Sequence, residues 1–214
     1  MTFEPFAIAG VSGFLHRAAG EANTGLVLTH GAGGNCAVPL LVTVATALCA
    51  ARYDVLRCDL PFRQRRPKGP PSPAGAAADR EGLSKAVAAM RARGLRRVIL
   101  GGQSYGGRQA TMLAADEPRL VEGLLLFSYP LHPPGRPERR RTEHFARLTT
   151  PCVFVEGTVD PFGSPAELRD AISLIPALTE MILVEGAGHD LRRGRFDLAP
   201  LHAAVGRLGQ PSSD

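Results

Sequence analysis

Short apolar runs alternate with stretches of helical spacing along almost the whole chain, and this alternation limits the fold more than any other feature. The runs are Gly25–His30, Asp54–Asp59, Arg97–Gly102, Gly123–Ser128, Cys152–Val155 and Met181–Val184. Between and after them, helical patterns cover Pro39–Arg52, Ala74–Gly94, Tyr105–Glu117, Ser164–Ile175 and 196–208. Strands that are apolar throughout, rather than at every second position, must be covered on both faces. Helices between successive strands supply that cover, so the expected fold class is α/β: a three-layer sandwich with a mostly parallel sheet and helices on both faces. The segment from Phe6 to Arg17 is expected to add one or two edge strands, and Arg141–Leu148 a short helix. The segment from Leu60 to Pro73 reads as a loop.

A chain of 214 residues can build one substantial core. No linker or internal repeat divides it, so residues 1–208 are expected to form a single domain, with 209–214 a frayed tail. The start, Met1-Thr2-Phe3-Glu4-Pro5, lacks the basic and apolar regions of a secretory signal, and no apolar run is long enough to span a bilayer. A cytoplasmic protein with no membrane partner is expected. Cys36, Cys49, Cys58 and Cys152 are scattered without ligand spacing, which argues for reduced, buried thiols and no metal.

One run leads directly into Gly102-Gln103-Ser104-Tyr105-Gly106, followed by a helical pattern. A strand–G-x-S-x-G–helix sequence is a nucleophile elbow: the serine sits on a sharp turn, and the glycines prevent collisions with neighbouring elements. A serine hydroxyl needs a base. His132, His144, His189 and His202 follow Ser104. His189, in Gly186-Ala187-Gly188-His189-Asp190, directly follows the last strand and is the expected base. His144 and His202 lie in helical patterns and read as packing or surface residues. His132, in a proline-rich loop, could at most contact substrate. The acid is expected after the preceding strand, at Asp160 in Gly157-Thr158-Val159-Asp160-Pro161-Phe162-Gly163, with Asp190 and Glu156 as the weaker alternatives.

Negative charge that develops on a carbonyl oxygen needs backbone N–H donors. Tyr105, at the start of a helix, is one expected oxyanion donor. The second is expected from His30-Gly31-Ala32-Gly33-Gly34, with Ala32 preferred and Gly33 the alternative. His30 reads as a structural hydrogen-bonding residue. Gly33, Arg108 and His132 are the expected substrate contacts.

These segments, together with Phe127-Ser128-Tyr129-Pro130-Leu131, resemble the α/β-hydrolase superfamily in kind and order. More narrowly, they resemble a small lidless group related to the dienelactone hydrolases that includes testis-expressed hydrolase-like proteins. The resemblance spans roughly residues 25 to 205. It implies a Ser104–Asp160–His189 triad with no cofactor or metal, but no particular substrate. Dienelactone hydrolases use a cysteine nucleophile, and this chain has Ser104 instead. Some relatives serve as scaffolds, which makes an interaction module the alternative to a serine esterase.

Little chain separates Ser128 from Cys152, so a shallow, accessible site without a lid is expected, formed by residues 61–73, 129–141 and 190–195. The formal net charge is +5, and these loops carry three basic clusters: Arg63, Arg65, Arg66 and Lys68; Arg136, Arg139, Arg140 and Arg141; and Arg192, Arg193 and Arg195. Either they form a basic rim that attracts an anionic ester or they are solvated surface. No aromatic residues interleave them in the manner of a nucleic-acid site.

Overall fold

The computed structural model describes residues 3–194 and 196–208. Met1, Thr2, Arg195 and the expected frayed tail lie outside them.

Among the described residues, eight strands form one sheet. The first two, β1 (Phe3–Ile8) and β2 (Val11–His16), are an antiparallel hairpin. Ala9 and Gly10 join them with φ of 53° and 82°, the positive pair that a tight hairpin turn requires. The parallel portion comprises β3 (Thr24–Thr29), β4 (Asp54–Asp59), β5 (Arg97–Gln103), β6 (Gly123–Phe127), β7 (Cys152–Gly157) and β8 (Thr179–Val184). The spatial order is β1-β2-β4-β3-β5-β6-β7-β8, with β2 antiparallel to β4. The expected mostly parallel sheet is therefore present.

The helices are α1 (Pro39–Ala50), α2 (Pro61–Arg65), α3 (Ala76–Arg91), α4 (Tyr105–Asp116), α5 (Pro165–Ile172) and α6 (Leu198–Arg207). Alternate residues of one strand point to opposite faces. Leu26 and Leu28 of β3 join a core with Leu41, Val44 and Leu48 of α1 and Leu201 and Val205 of α6. Val27 of the same strand joins the opposite core, with Leu83 and Val87 of α3, Leu113 of α4 and Leu168 of α5. The three layers expected from the apolar runs follow from these two cores. No helix among the described residues is long and apolar enough to cross a membrane.

Three segments depart from expectation. Residues 61–65, read as loop, form α2, which is too short to show helical periodicity. The short helix expected at Arg141–Leu148 is only a single 3-10 turn, Phe145–Arg147. The helix expected from Ala74 starts two residues later, after a 3-10 turn at Pro73–Gly75.

The sheet is tight at its centre. A Cβ on Gly101 of β5 would lie 2.1 Å from the Leu125 carbonyl oxygen of β6, a backbone atom that cannot swing aside. A Cβ on Gly33 would meet nothing within 4 Å. Gly101→Ala should therefore cost at least about 2 kcal/mol in urea unfolding, and Gly33→Ala less than about 0.5 kcal/mol. Equal midpoints for the two variants would contradict this packing.

Glu156 in β7 is 3% exposed and its Oε1 accepts a hydrogen bond from the Tyr129 backbone N–H. Burial pushes its pKa well above the ordinary 4.5. The unfolded chain releases this proton near 4.5 while the folded chain keeps it, so stability is lost as pH rises above that value. Glu156→Gln should raise the melting temperature relative to wild type at pH 8, with the gap closing as pH falls to 4. A gap independent of pH would show that Glu156 is ionised in the fold.

Candidate active site

The sharpest local feature is the turn from β5 into α4. Ser104 has φ 51° and ψ −116°, a conformation that L-residues avoid. The turn is pinned on both sides. The Ser104 backbone N–H donates to the Phe127 carbonyl of β6 at 2.8 Å, and its carbonyl accepts from Arg108 at 2.9 Å. A Cβ on Gly102 would lie 2.8 Å from the Thr29 carbonyl oxygen, and one on Gly106 would lie 2.5 Å from that of His30. Glycine at these two positions lets the end of β3 and the start of α4 close on the serine.

The turns after β7 and β8 are equally close. A Cβ on Gly157 would lie 2.2 Å from the Ala187 carbonyl oxygen, and that oxygen accepts from the Val159 N–H at 3.0 Å. This contact sets Asp160 and His189 side by side. Asp160 Oδ2 is 2.7 Å from His189 Nδ1, and His189 Nε2 is 2.8 Å from Ser104 Oγ. A carboxylate only accepts, so Nδ1 carries the proton and Nε2 is left to face the serine hydroxyl. Asp160 Oδ1 accepts from the Phe162 N–H at 2.8 Å, and its side chain is almost fully buried. The three residues expected from the sequence thus stand in a hydrogen-bonded line with His189 at its centre.

The other carboxyls are turned elsewhere. Asp190 is exposed and bonds Arg192, and Glu156 faces Tyr129. Among the histidines, His144 is buried with Nε2 2.8 Å from Thr111 Oγ1. Burial and the Arg108 charge lower its pKa to about 4. His202 is half-buried in α6. His132 corrects the sequence expectation. It is 5% exposed, its Nδ1 is 2.9 Å from the Pro133 carbonyl oxygen, and it lines neither cavity at Ser104. The His132 backbone N–H donates to the Phe162 carbonyl at 3.0 Å, which ties its loop to the one that carries Asp160.

Across from His189, the turn after β3 brings Ala32 to the cavity wall beside Ser104 and Tyr105. Gly31 is so near that a Cβ there would lie 3.3 Å from Ser104 Cβ. Tyr105 is the first residue of α4, where backbone N–H groups have no helical partner. His30 is fully buried. Its Nδ1 donates to the Gly31 carbonyl at 2.7 Å, and its Nε2 accepts from the Leu60 N–H at 3.2 Å, which fixes a neutral ring. Burial also lowers its pKa. Gly33 lines the wider cavity, and Arg108 the narrower one.

The expected basic rim needs correction at its first cluster. Arg63 is 6% exposed, with Nε donating to the Gly34 carbonyl at 2.7 Å and Nη2 to that of Ala32 at 2.8 Å. It clamps the turn from behind instead of facing solvent. Arg65, Arg66 and Lys68 are exposed, but no residue of 61–73 lines either cavity among the described residues. Arg136, Arg139, Arg140, Arg192 and Arg193 are exposed, whereas Arg141 is half-buried in the cavity wall; Arg195 lies outside the described residues.

Three contacts were not foreseen from the sequence. The Phe162 ring stacks on the His189 imidazole with centroids 4.1 Å apart. Asp79, fully buried on α3, accepts from the Tyr105 hydroxyl at 2.8 Å and from the Phe62 N–H at 3.0 Å, so it ties α2 to the start of α4. The Arg63 clamp is the third. An acidic residue inside an alanine-rich helix was the one sequence sign of the Asp79 contact.

A family model described as an alpha/beta hydrolase domain matches residues 22–200. Solved structures share the fold at low identity. A dienelactone hydrolase from Anabaena variabilis is 19% identical with a TM-score of 0.70, covering 96% of this chain and 95% of that one. An α/β serine hydrolase without lid from Xanthomonas campestris is 16% identical, with a TM-score of 0.71 and coverage of 96% and 93%. Est1E from Butyrivibrio proteoclasticus is 14% identical, with a TM-score of 0.72 and coverage of 96% of each chain. With its sheet order, its strained serine turn and a family match over most of its length, this chain belongs to the alpha/beta hydrolase family.

Proposed function

We propose that this protein is a serine hydrolase that cleaves a carboxylic ester through an acyl-enzyme, with thioesters and amides as chemically related substrates. The observation that carries the reading is the unbroken line from Asp160 through His189 to Ser104, with contacts of 2.7 and 2.8 Å. Ser104 Oγ attacks the carbonyl carbon while His189 Nε2 takes the hydroxyl proton. Asp160 holds the ring in the Nδ1–H tautomer and stabilises it once charged. The backbone N–H groups of Ala32 and Tyr105 receive the oxyanion. The tetrahedral intermediate then collapses, and His189 gives its proton to the departing alcohol. Water, deprotonated by His189, repeats the attack on the acyl-enzyme and frees Ser104 and the acid.

A fluorophosphonate probe should label the wild-type protein and not Ser104→Ala, and that variant should lose esterase activity by on the order of 10⁶-fold. A folded wild-type protein that takes no label would favour the alternative, an interaction module that retains the fold.

The Arg63 clamp predicts a second effect. Arg63→Met frees the Ala32 and Gly34 carbonyls and loosens one oxyanion donor. Losing such a donor outright costs about 10²–10³ in kcat, so a loosened one should cost roughly tenfold, with KM little changed. Unchanged kcat in a folded Arg63→Met protein would remove Ala32 from the oxyanion site.

A further inference from the structure

Two cavities meet at Ser104, and Ala32 and Phe162 line both. The wider, about 380 Å³, holds His189 together with Val38, Gln103 and Arg192. The narrower, about 240 Å³, holds Tyr105, Arg108, Pro130 and Arg141, and His189 is not part of its wall. In acyl transfer, the departing oxygen must lie beside the imidazole that protonates it. The alcohol portion therefore occupies the His189 cavity, and the acyl chain extends into the narrower one. That volume equals on the order of eight waters, room for an acyl chain of roughly four to six carbons.

The acyl cavity has an unusual wall. Arg108, in the first turn of α4, is half-buried, and its Nε is fully buried with no hydrogen-bond partner. Arg141 is also half-buried. Its Nη1 donates to the Pro130 carbonyl at 3.1 Å, and its backbone is tied to Leu131 and to the Tyr129 hydroxyl. Among the described residues neither guanidinium forms an ion pair with a carboxylate, although the adjacent Arg140 is paired with Asp170. Burial and then the Arg108 charge lower the Arg141 pKa, and the exposed Glu143 is the weakest influence on it. Two like charges held half out of water around one small cavity are costly unless an anion joins them.

We propose that Arg108 and Arg141 bind a carboxylate at the far end of the acyl chain, so that the substrate is a half-ester of a short dicarboxylic acid. This rests on the serine-hydrolase reading for the direction of the acyl chain. It also narrows the basic surface expected from sequence to two side chains inside the site.

The test separates binding from turnover. Ser104→Ala protein is titrated by calorimetry with 4-nitrophenyl hemiglutarate and with 4-nitrophenyl valerate, which differ only by carboxylate against methyl. The hemiglutarate should bind at least about tenfold tighter, since charge-assisted pairs with arginine are the stronger hydrogen bonds. That advantage should fall about tenfold when Arg108→Met or Arg141→Met is added. It should survive largely intact in the Arg→Lys versions, with circular dichroism confirming that each variant is folded. A carboxylate on the alcohol side, as in 4-acetoxybenzoate, should gain nothing from either arginine. Equal affinity for the two esters, binding of neither, or an advantage that survives both Met substitutions would overturn the proposal. Turnover by the wild-type protein reads the hydrolase assignment separately. Hydrolysis of both esters without preference sinks the carboxylate subsite and leaves the hydrolase standing, whereas an unreactive Ser104 with the hemiglutarate advantage intact sinks the hydrolase, and the half-ester substrate with it, and leaves only a carboxylate-binding arginine pair.

Discussion

The positive φ at Ser104 is the constraint on which the rest of the site depends. A strained residue of this kind costs about 1–3 kcal/mol and persists only where its surroundings leave no alternative. Here the surroundings are backbone. The Phe127 carbonyl of β6 holds the Ser104 N–H, and the Thr29 and His30 carbonyls at the end of β3 press against Gly102 and Gly106. Two parallel strands flanking β5 thus force the chain to reverse into α4 in a single step. The reversal lifts Oγ off the sheet and leaves the first N–H groups of a helix beside it.

The same logic of backbone against backbone places the partners. Gly157 touches the Ala187 carbonyl, and the loops after β7 and β8 are locked before any side chain is considered. His189 then has one neighbour at each nitrogen and an aromatic ring over its face. Burial pushes the pKa of Glu156, four residues before Asp160, well above the ordinary carboxylate range, which disfavours a second negative charge beside the Asp160 carboxylate. On the opposite wall, a neutral His30 and a clamping Arg63 fix the carbonyls of the turn. The site is therefore assembled mainly by main-chain packing, with buried polar side chains as braces.

Much of this was legible in the sequence because it rests on local chemistry. Apolar runs of strand length, punctuated by glycine, expose a doubly covered sheet. The flanking glycines of Ser104 and the positions of Asp160 and His189 after strands follow from chain order. The braces were not legible, since they join residues distant in sequence through atoms that leave no pattern. Arg63 lies in an arginine-rich stretch that reads as solvent-facing, and only α2, too short to show periodicity, turns it inward. His132 looked available because proline-rich loops are usually exposed, yet this loop folds back on Phe162. Arg141 stood in a cluster of four basic residues, and nothing in the order of those residues marks which one enters the cavity.

In the proposed reaction Ser104 carries the acyl group during turnover. The direct measurement is intact-protein and peptide mass spectrometry after rapid acid quench of the enzyme with excess 4-nitrophenyl acetate. One acetyl group is expected, on the peptide that contains Ser104, appearing within the first turnover and disappearing as substrate is exhausted. Turnover without any adduct on that peptide, or a transient acetyl group on His189 or a cysteine instead, would contradict it.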